Sequence, residues 1–497
     1  MSTRGFLRSD TLVDLAATAD FLAARDRCTW RRAPASTLHG QLRVVHRPVW
    51  RPSNDGVVLP GDVDITASVP GSSCVLALDG ARYAGDASAK LEAWIVRTGP
   101  FEIAAGGAAL IQFRPRVPPP GAYAISSVAK MADANTSQWL PYPPLHDHHS
   151  VTWNQGDAVL PSEHCTPGQG VYCPGPTGAR SHQLDFVVAG PALDPFHKPS
   201  SLPGGYGDKA CVAELGGTAC AMNWLPCASA TRKHGCTGQL VQPSSTPFFD
   251  AIYNSVAERA LRVFHEHAVV WRLDSGKQRV APLTPYTIYL RHPWKQPFNT
   301  YPVWRSLGPT VHFRTVRMPE AGRLVGSSFH HHSFLSESWV LAATEAQLGL
   351  PLVHAEGVAR LREGKRFPGL DRVLPEVEAG LIPLPIANTS ETQTRLRRAL
   401  AAAAPAAGAA RPRLLCRYYR PPGGVYAAML KRAGEADECS SWRFEAGDAA
   451  TIVGWHDRVK DQEAGHAVWF AYTVLDRWRD LLSRPGAAAV LARSGQK

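Results

Sequence analysis

The sequence lacks the long apolar segment that a transmembrane helix requires. A bilayer-crossing helix needs about 20 consecutive, mostly apolar residues, and no such run occurs. The sequence also lacks a P-loop, a zinc-finger spacing and an RNA-recognition-motif signature. No membrane span and no nucleic-acid partner are therefore predicted. The net charge of +11 comes from scattered arginines rather than from one basic block, which indicates a diffuse basic surface.

The ten cysteines include no Cys-x-x-Cys pair, which argues against a zinc site built from thiolates. An even number of cysteines in a loop-rich segment is typical of a disulfide-stapled insertion. We expect at least two disulfides there and an oxidising environment, either extracellular or in the secretory pathway. The six cysteines concerned lie in a stretch rich in Gly, Pro and Ser: Cys165, Cys173, Cys211, Cys220, Cys227 and Cys236.

The N-terminal residues do not have the uninterrupted apolar core of a secretory signal peptide. Arg4, Arg8, Asp10 and Asp14 interrupt it. Three explanations stay open: the true start is missing, export is unconventional, or the cysteines are reduced.

Long helical periodicities are also scarce. Short runs of Val, Ile, Tyr and Trp are instead separated by many of the 42 Gly and 41 Pro residues. This pattern predicts a mostly β protein made of sandwiches or barrels. A chain of 497 residues is long enough for two or three domains.

The patterns divide the chain into four segments. A helix over Leu12–Ala24 is expected inside the first segment, and the stretch from 336 to about 366 is expected to be helical. The segments are an N-terminal extension (1–40), a first β-sandwich (41–270) with a cysteine-rich insertion (160–245), a second β-sandwich (271–480) with a helical and Ala-rich insertion (336–412), and a C-terminal tail (481–497).

Histidine runs are the most informative feature of the sequence. The run at 330–332 follows an apolar strand, and on a regular strand His330 and His332 share one face while His331 faces the other way. Two imidazoles at that spacing form a half-site for Cu, Zn, Fe or Ni. The alternative is a polar loop that happens to be rich in histidine.

Two further histidine groups lie upstream. His146, His148 and His149 stand between a Pro-rich approach and a strand pattern, in WLPYPPLHDHHSVTW. His265 and His267 share one face of a predicted strand in RALRVFHEHAVVWRLD. Either one of these two completes a metal site with the 146–149 run, or both are imidazoles on an exposed strand face.

Three ordered motifs resemble the copper type II ascorbate-dependent monooxygenases, the peptidylglycine hydroxylating and dopamine β-monooxygenase group. The chain is still more similar to their plant and algal relatives, the stress-up-regulated nodulin 19-like proteins. The motifs are PLHDHHSVTW, MPEAGRLVGSSFHHHS, and FEAGDAATIVGWHD followed by EAGHAVWFAYTV. In order and rough spacing they cover about residues 90 to 480.

The resemblance implies two packed jelly-roll-like antiparallel β-sandwiches that each hold one copper across a solvent-filled cleft. One copper would supply an electron, with ascorbate as the reductant. The other would bind O2 beside a C–H bond of a small organic or peptide substrate. His148 and His149 match the histidine pair of the first site, and His330 and His332 match the His-x-His of the second.

Two positions depart from the family pattern. The third histidine of the first site has no secure counterpart, and His265 or His267 is the best substitute. The methionine of the second site is absent from the last strand, where His466 could replace it. A soft thioether stabilises Cu(I), so an imidazole there would change the geometry and the reduction potential of the site.

Two other classes of function remain open. The first is a non-catalytic secreted or cell-surface β-sandwich protein, with one structural metal or with degenerate copper sites. The second is a zinc hydrolase, which needs a general-base carboxylate beside its ligands. Neither the 146–149 run nor the 330–332 run supplies one convincingly.

Overall fold

The described part of the chain consists mostly of β-strands, as the scarcity of helical periodicity predicts. The structure is a computed structural model. It describes residues 15–34, 40–49, 58, 60–84, 86–140, 144–154, 183–188, 223–224, 236–241, 247–274, 280–282, 284–289, 301–303, 310–318, 320–331, 335–349, 394, 396, 398, 412–419, 429–432, 442–456, 462–465 and 467–476.

The helices and strands are numbered in chain order. The helices are α1 (Leu15–Arg25), α2 (Gly80–Ala84) and α3 (Glu345–Leu348). The strands up to residue 272 are β1 (Arg31–Pro34), β2 (Gly40–Arg47), β3 (Val63–Asp64), β4 (Pro70–Leu78), β5 (Leu91–Ile103), β6 (Ala108–Arg114), β7 (Tyr123–Asp133), β8 (Leu145–Asn154), β9 (Gln183–Val188), β10 (Asn223–Trp224), β11 (Cys236–Leu240), β12 (Pro247–Ser255) and β13 (Leu261–Arg272).

The remaining strands follow from residue 280. They are β14 (Val280–Pro282), β15 (Thr284–Tyr289), β16 (Tyr301–Val303), β17 (Thr310–Arg317), β18 (Gly322–His331), β19 (Leu335–Ala342), β20 (Arg413–Tyr419), β21 (Met429–Arg432), β22 (Trp442–Phe444), β23 (Ala449–His456), β24 (Gln462–Gly465) and β25 (Ala467–Leu475).

The chain divides into two compact units. The first holds residues Met1–Tyr286 and Tyr472–Lys497, and the second holds Thr287–Ala471. The first unit contains two large sheets. The first sheet has the order β1-β4-β5-β13-β7-β11-β14, with β10 also paired to β7, and the second sheet has the order β3-β2-β6-β12-β8-β9.

The two sheets of the first unit pack face to face and share one core. The first sheet contributes Phe101, Met131 and Val263, and the second contributes Phe113 and Phe249, all of them buried. Each fully buried side chain of this kind stabilises the fold by about 1.5–3 kcal/mol relative to leaving it exposed. Because inward residues alternate with outward ones along each strand, this shared core fixes which side chains lie inside the sandwich.

Residues of the second unit form two larger sheets and a small one, and strands β15 and β25 each continue across the sequence boundary between the units. One sheet has the order β15-β25-β18-β21, with β22 also paired to β18, another has the order β17-β23-β19-β20, and β16 pairs with β24. The β17-β23-β19-β20 sheet buries a core that includes Phe313, Trp339, Leu341 and Trp455. Trp339 and Trp455 lie side by side, with ring centroids 4.9 Å apart.

The N-terminal segment is part of the first unit. Helix α1 covers most of the predicted span, and Phe21 on it is fully buried. Strand β1 then pairs with β4, and a disulfide joins Cys28 to Cys74 across a Cα–Cα distance of 5.9 Å. This disulfide is compatible with an extracellular location. Residues of the predicted N-terminal extension therefore belong to the first sheet and its covering layer.

The helical prediction from residue 336 onward is wrong for its first part. Residues 335–342 form β19, which lies between β23 and β20, and only Glu345–Leu348 are helical. A short apolar run cannot be assigned to strand or helix from its pattern alone, and pairing on both sides decides here. Leu396, at the start of the Ala-rich stretch, is buried in the same core as Trp339.

The cysteine-rich insertion contributes strands to both sheets of the first unit. Strand β9 pairs with β8, whereas β10 and β11 pair with β7. Cys236 begins β11, and the other five clustered cysteines lie outside the described residues, so the disulfides expected there stay a prediction. Cys416 on β20 is also disulfide-bonded. Within the described residues, no helix has the length and apolarity needed to cross a membrane.

Candidate metal centre

His265 and His267 lie on the inner face of β13, directed into the sandwich. They are 0% and 1% exposed. The strand and the shared face agree with the alternation in the sequence, but the alternative of an exposed strand face is wrong. The reason is that β13 is a central strand, paired with β5 on one side and β7 on the other, and the second sheet covers its inner face.

Aromatic rings of the second sheet surround the two imidazoles. The ring centroid of His267 lies 4.6 Å from that of Phe249 and 5.4 Å from that of Phe113. The ring centroid of His265 lies 5.3 Å from that of Phe249 and 5.6 Å from that of Tyr253. Strands β6 and β12 hold these aromatic rings in place by pairing along their length. The two histidines therefore occupy a largely apolar layer between the sheets.

This environment keeps His267 neutral. Burial lowers its pKa from 6.5 to about 3, because the apolar surroundings disfavour the charged imidazolium. Its Nε2 atom is buried and has no hydrogen-bond partner among the described residues. A neutral imidazole with an available nitrogen is the form that binds metals. His267 is therefore chemically suited to coordinate an ion.

The 146–149 histidine run forms part of β8, which pairs with β12 beside the same aromatic rings. His149 is the register partner of Ile252, and Asp147 is the partner of Tyr253. His148 has no partner position, so it is the extra residue of a β-bulge. A bulge sets two residues opposite one, interrupts the alternation of faces and re-aims side chains, and bulges are frequent beside active sites. The backbone thus departs from regular alternation where two consecutive histidines were predicted to act together.

The second predicted site lies in the second unit. Strand β18 runs to His331 and includes His330, as the sequence pattern predicts. His332 and His466 lie outside the described residues. Strand β25, which begins at Ala467, is a hydrogen-bonded neighbour of β18. The topology therefore puts the strand that follows His466 next to the strand that carries His330, but the proposed ligand set stays a prediction.

A buried carboxylate that was not predicted from the sequence lies between the two inward histidines. Glu266 is 1% exposed and lies on the opposite, outer face of β13. Its Oε1 accepts hydrogen bonds from Arg25 Nη2 at 2.6 Å and from Arg97 Nε at 2.8 Å. Its Oε2 accepts from Arg25 Nε at 2.9 Å and from Trp139 Nε1 at 2.6 Å. We call Glu266, Arg25, Arg97 and Trp139 the outer ionic cluster.

Two cations share this one carboxylate. Burial lowers the pKa of both guanidinium groups, and attraction and hydrogen bonds from Glu266 act in the opposite direction. For Arg25 the attraction prevails and the pKa is raised, whereas for Arg97 burial prevails and it is lowered. Both groups stay protonated, since arginine does not deprotonate in proteins at ordinary pH. The only sequence signal was a glutamate between the apolar residues Phe264 and Ala268 on one strand face, which does not reveal its partners.

Among the side chains that the structure describes, no three His, Cys, Asp or Glu residues form a group that could hold a metal ion. Of the predicted ligands, His265 and His267 are brought together in one layer. The side chains of His148, His149 and His330, and all of His332 and His466, lie outside the described part. The complete ligand sets therefore remain predictions.

Comparisons with known proteins give no family. No family model matches the chain, and no curated protein matches it. Among solved structures, one similar chain comes from the "atomic structure of Sulfolobus Turreted Icosahedral Virus". It is 9% identical, the alignment covers 78% of this chain and 96% of that chain, and the TM-score is 0.19. A likeness at that score supports no inference about fold or function.

Proposed function

We propose that this protein binds copper and acts as a monooxygenase-like enzyme that hydroxylates a small organic or peptide substrate with O2. The first copper would use His148 and His149, with His265 or His267 as the third ligand. The second would use His330, His332 and His466. The proposal includes two jelly-roll-like sandwiches. The two packed sheets of the first unit are observed, whereas the jelly-roll arrangement is part of the proposal. Ascorbate is the proposed reductant.

One observation supports the first site most directly. The inner face of β13 holds two fully buried imidazoles, and His267 is neutral with an Nε2 atom that lacks a partner among the described residues. An unpaired buried polar atom costs about 1–3 kcal/mol. A ligand on that nitrogen would remove the cost. The bulge at His148 in β8 interrupts the regular alternation of side chains on a strand of the facing sheet.

Copper would supply electron transfer and O2 activation, and the protein residues would do the rest. The imidazoles would hold the ion, and the aromatic layer of Phe113, Phe249 and Tyr253 would keep water away from the β13 side of the site. The carboxylate of Asp147, beside His148 in β8, could orient a ligating imidazole, as second-shell groups commonly do. In the second site, His466 in place of a methionine would favour Cu(II) relative to a thioether-ligated site.

A second candidate function is supported by burial. Both β13 imidazoles are 0–1% exposed, whereas a substrate hydroxylated at copper must approach the ion. This observation favours a non-catalytic protein with one structural metal, closed on all sides in the manner of structural zinc sites. The two candidates differ in metal count, in metal identity and in solvent access to the ion.

Metal content and electron paramagnetic resonance of the purified protein test the proposal. Two type 2 Cu(II) ions per chain are expected. One of them should be lost in His148→Gln, and the other in His330→Ala and in His332→Ala. The His330→Ala/His332→Ala double variant should lose little more than either single variant, because co-ligands act as a unit.

Two matched controls decide the interpretation. His46→Gln changes a histidine on β2 whose Nε2 already accepts a hydrogen bond from the Ala104 N–H at 3.2 Å, and it should retain both ions. His331→Ala should also be silent, because adjacent residues of a regular strand face opposite ways. Equal metal loss from all three changes at 330–332 would refute the second site. A single Zn, insensitive to the changes at 330 and 332, would favour the structural-metal alternative.

A further inference from the structure

Residues 15–34 cover the outer face of the first sheet, the face opposite His265 and His267. They comprise α1, a short connection and the edge strand β1, and we call them the strap. Phe21 of the strap is fully buried, with its ring centroid 6.3 Å from that of Trp139. The strap is held by the β1–β4 backbone pairing, by the disulfide from Cys28 to Cys74 and by the contacts of Arg25. A salt bridge from Asp20 to Arg82 and the ring of Trp30, whose centroid lies 3.8 Å from Cζ of Arg97, add to these contacts.

Arg25 is the polar anchor of the strap. It is 3% exposed and makes a bidentate pair with Glu266. Its Cζ atom also lies 5.7 Å from the centroid of the Trp139 ring. At the rim of the cluster, its Nη1 contacts Oδ1 of Asp26 at 2.7 Å. Asp26 belongs to the strap too, so the strap carries one positive and one negative charge into this region.

The charge count has a consequence for release of the strap. In the closed state two cations, Arg25 and Arg97, face two anions, Glu266 and the exposed Asp26. Release would remove Arg25 and Asp26 together and leave Arg97 paired with Glu266, in contact at 2.6 Å. Breaking a buried pair is strongly destabilising when it leaves an uncompensated charge. Here the charges are balanced in both states, so the sheet face is not left with an isolated ion.

The two cysteines of this disulfide differ in exposure. Cys28 is half-buried, and its neighbour Thr29 is exposed, whereas Cys74 on β4 is 5% exposed. A thiolate can reach an exposed sulfur far more readily than a buried one. Cys28 joins α1 to β1, so cleavage of this one bond removes the covalent tie close to the ionic anchor at Arg25.

We propose that residues 15–34 form a redox-releasable strap, closed by the Cys28–Cys74 disulfide and opened by a dithiol reductant. A thiolate of the dithiol attacks Cys28 Sγ, the Cys28–Cys74 bond breaks, and Cys74 leaves as a thiolate that takes up a proton. The second thiol of the reductant then displaces Cys28 as a thiol. Two electrons pass to the cysteine pair, and the reductant ends as a disulfide.

The strap contacts two elements that lead to the histidine runs. Glu266 lies between His265 and His267 on β13. Trp139 begins the segment that continues through Leu140 and Pro144 into β8, and its Nε1 donates to Glu266. Opening the strap removes Arg25 and Phe21 from Trp139. We therefore expect the segment around Trp139 to gain mobility first, while the central strands β5 and β13 keep their pairing.

Hydrogen exchange with mass spectrometry on the full chain tests the strap. Dithiothreitol added to the folded, oxidised protein should raise exchange in peptides from 15–34 at least tenfold, with a smaller rise around Trp139 and little change in β5 and β13. An arginine-specific protease gives an independent readout. It should cut faster at the exposed Arg27, Arg31 and Arg32 after reduction.

The Cys28→Ser/Cys74→Ser variant separates this disulfide from the others. Its strap peptides should exchange fast without any reductant, and dithiothreitol should add nothing further there. If the variant keeps wild-type protection until reductant is added, another disulfide controls the segment and the proposal fails. It also fails if reduction leaves the 15–34 peptides protected. Loss of protection across the whole first unit would overturn it as well, because the strap would then not be separable from the fold.

Discussion

The two faces of β13 bury polar groups in opposite ways. On the outer face, the carboxylate of Glu266 is surrounded by two guanidinium groups and an indole N–H. On the inner face, His267 is neutral, with its pKa lowered to about 3 by burial among aromatic rings. A buried charge needs counter-charges and hydrogen bonds, whereas a titratable group without them is kept in its neutral form. In β13 a paired buried carboxylate, Glu266, and a neutral buried imidazole, His267, therefore occupy consecutive positions.

This difference in environment gives the two faces of β13 different roles. The outer ionic cluster satisfies its own hydrogen bonds and ties α1 to the sheet, so nothing in it is left to bind a ligand. The inner face has an unpaired nitrogen among the described residues and contacts that are mainly aromatic. Ligand binding is thus expected on the inner face, whereas the outer face is expected to stabilise the attachment of α1 to the sheet.

The largest effect is expected from Glu266→Gln. The amide keeps the size but removes the buried anion that Arg25 and Arg97 share, and breaking a buried ion pair in this way costs about 3–5 kcal/mol. Denaturant unfolding at constant pH measures the change. Glu92→Gln is the matched control, because Glu92 on β5 also accepts a tryptophan N–H, from Trp94 at 2.9 Å, but is only partly buried. A loss for Glu266→Gln no larger than that of the control would remove the contrast between the two faces.

The second largest effect on stability is expected from a decrease in pH, which acts through His267 on the inner face. The pKa of His267 is about 3 in the folded protein, whereas that of an ordinary histidine is 6.5. Between these values the unfolded state binds more protons, so stability falls as the pH decreases from about 6.5 to about 3. The slope from this one group is at most about 1.4 kcal/mol per pH unit. Subtracting the pH profile of His267→Phe from that of the wild type isolates the contribution, and a flat difference would show that His267 titrates normally.

The smallest effect on stability is expected from His267→Phe at pH 7 without added metal. Phenylalanine has a similar shape and suits the rings of Phe113 and Phe249, so the free energy of unfolding should change by less than about 1.5 kcal/mol. Copper binding should nevertheless be lost if His267 is the third ligand of the first site. Copper titration therefore tests a role of His267 that the stability measurement does not detect. Normal affinity in this variant would leave His265 as the β13 ligand or place the site elsewhere.

Alternation along β13 was predictable because period-2 patterning carries directly into facing side chains. The mostly β class and helix α1 were predictable for similar local reasons. The burial of His265 and His267 was not, because it depends on β6 and β12 of the other sheet. Strand β19 was misassigned for the same reason, since pairing with β20 and β23 decides it. The outer ionic cluster joins Arg25 to a partner 241 residues away, a distance at which the sequence carries no local signal.

That long separation also sets an order for folding during synthesis. At about 5–20 residues per second, the ribosome needs on the order of ten to fifty seconds to add the 241 residues between Arg25 and Glu266. Throughout that interval α1 has emerged, but the strand that carries its anion has not. The Cys28–Cys74 disulfide, with a separation of only 46 residues, can form earlier and keep the N-terminal segment beside β4. Helix α1, although it is made long before β13, is therefore among the last elements to reach its final place in the first unit.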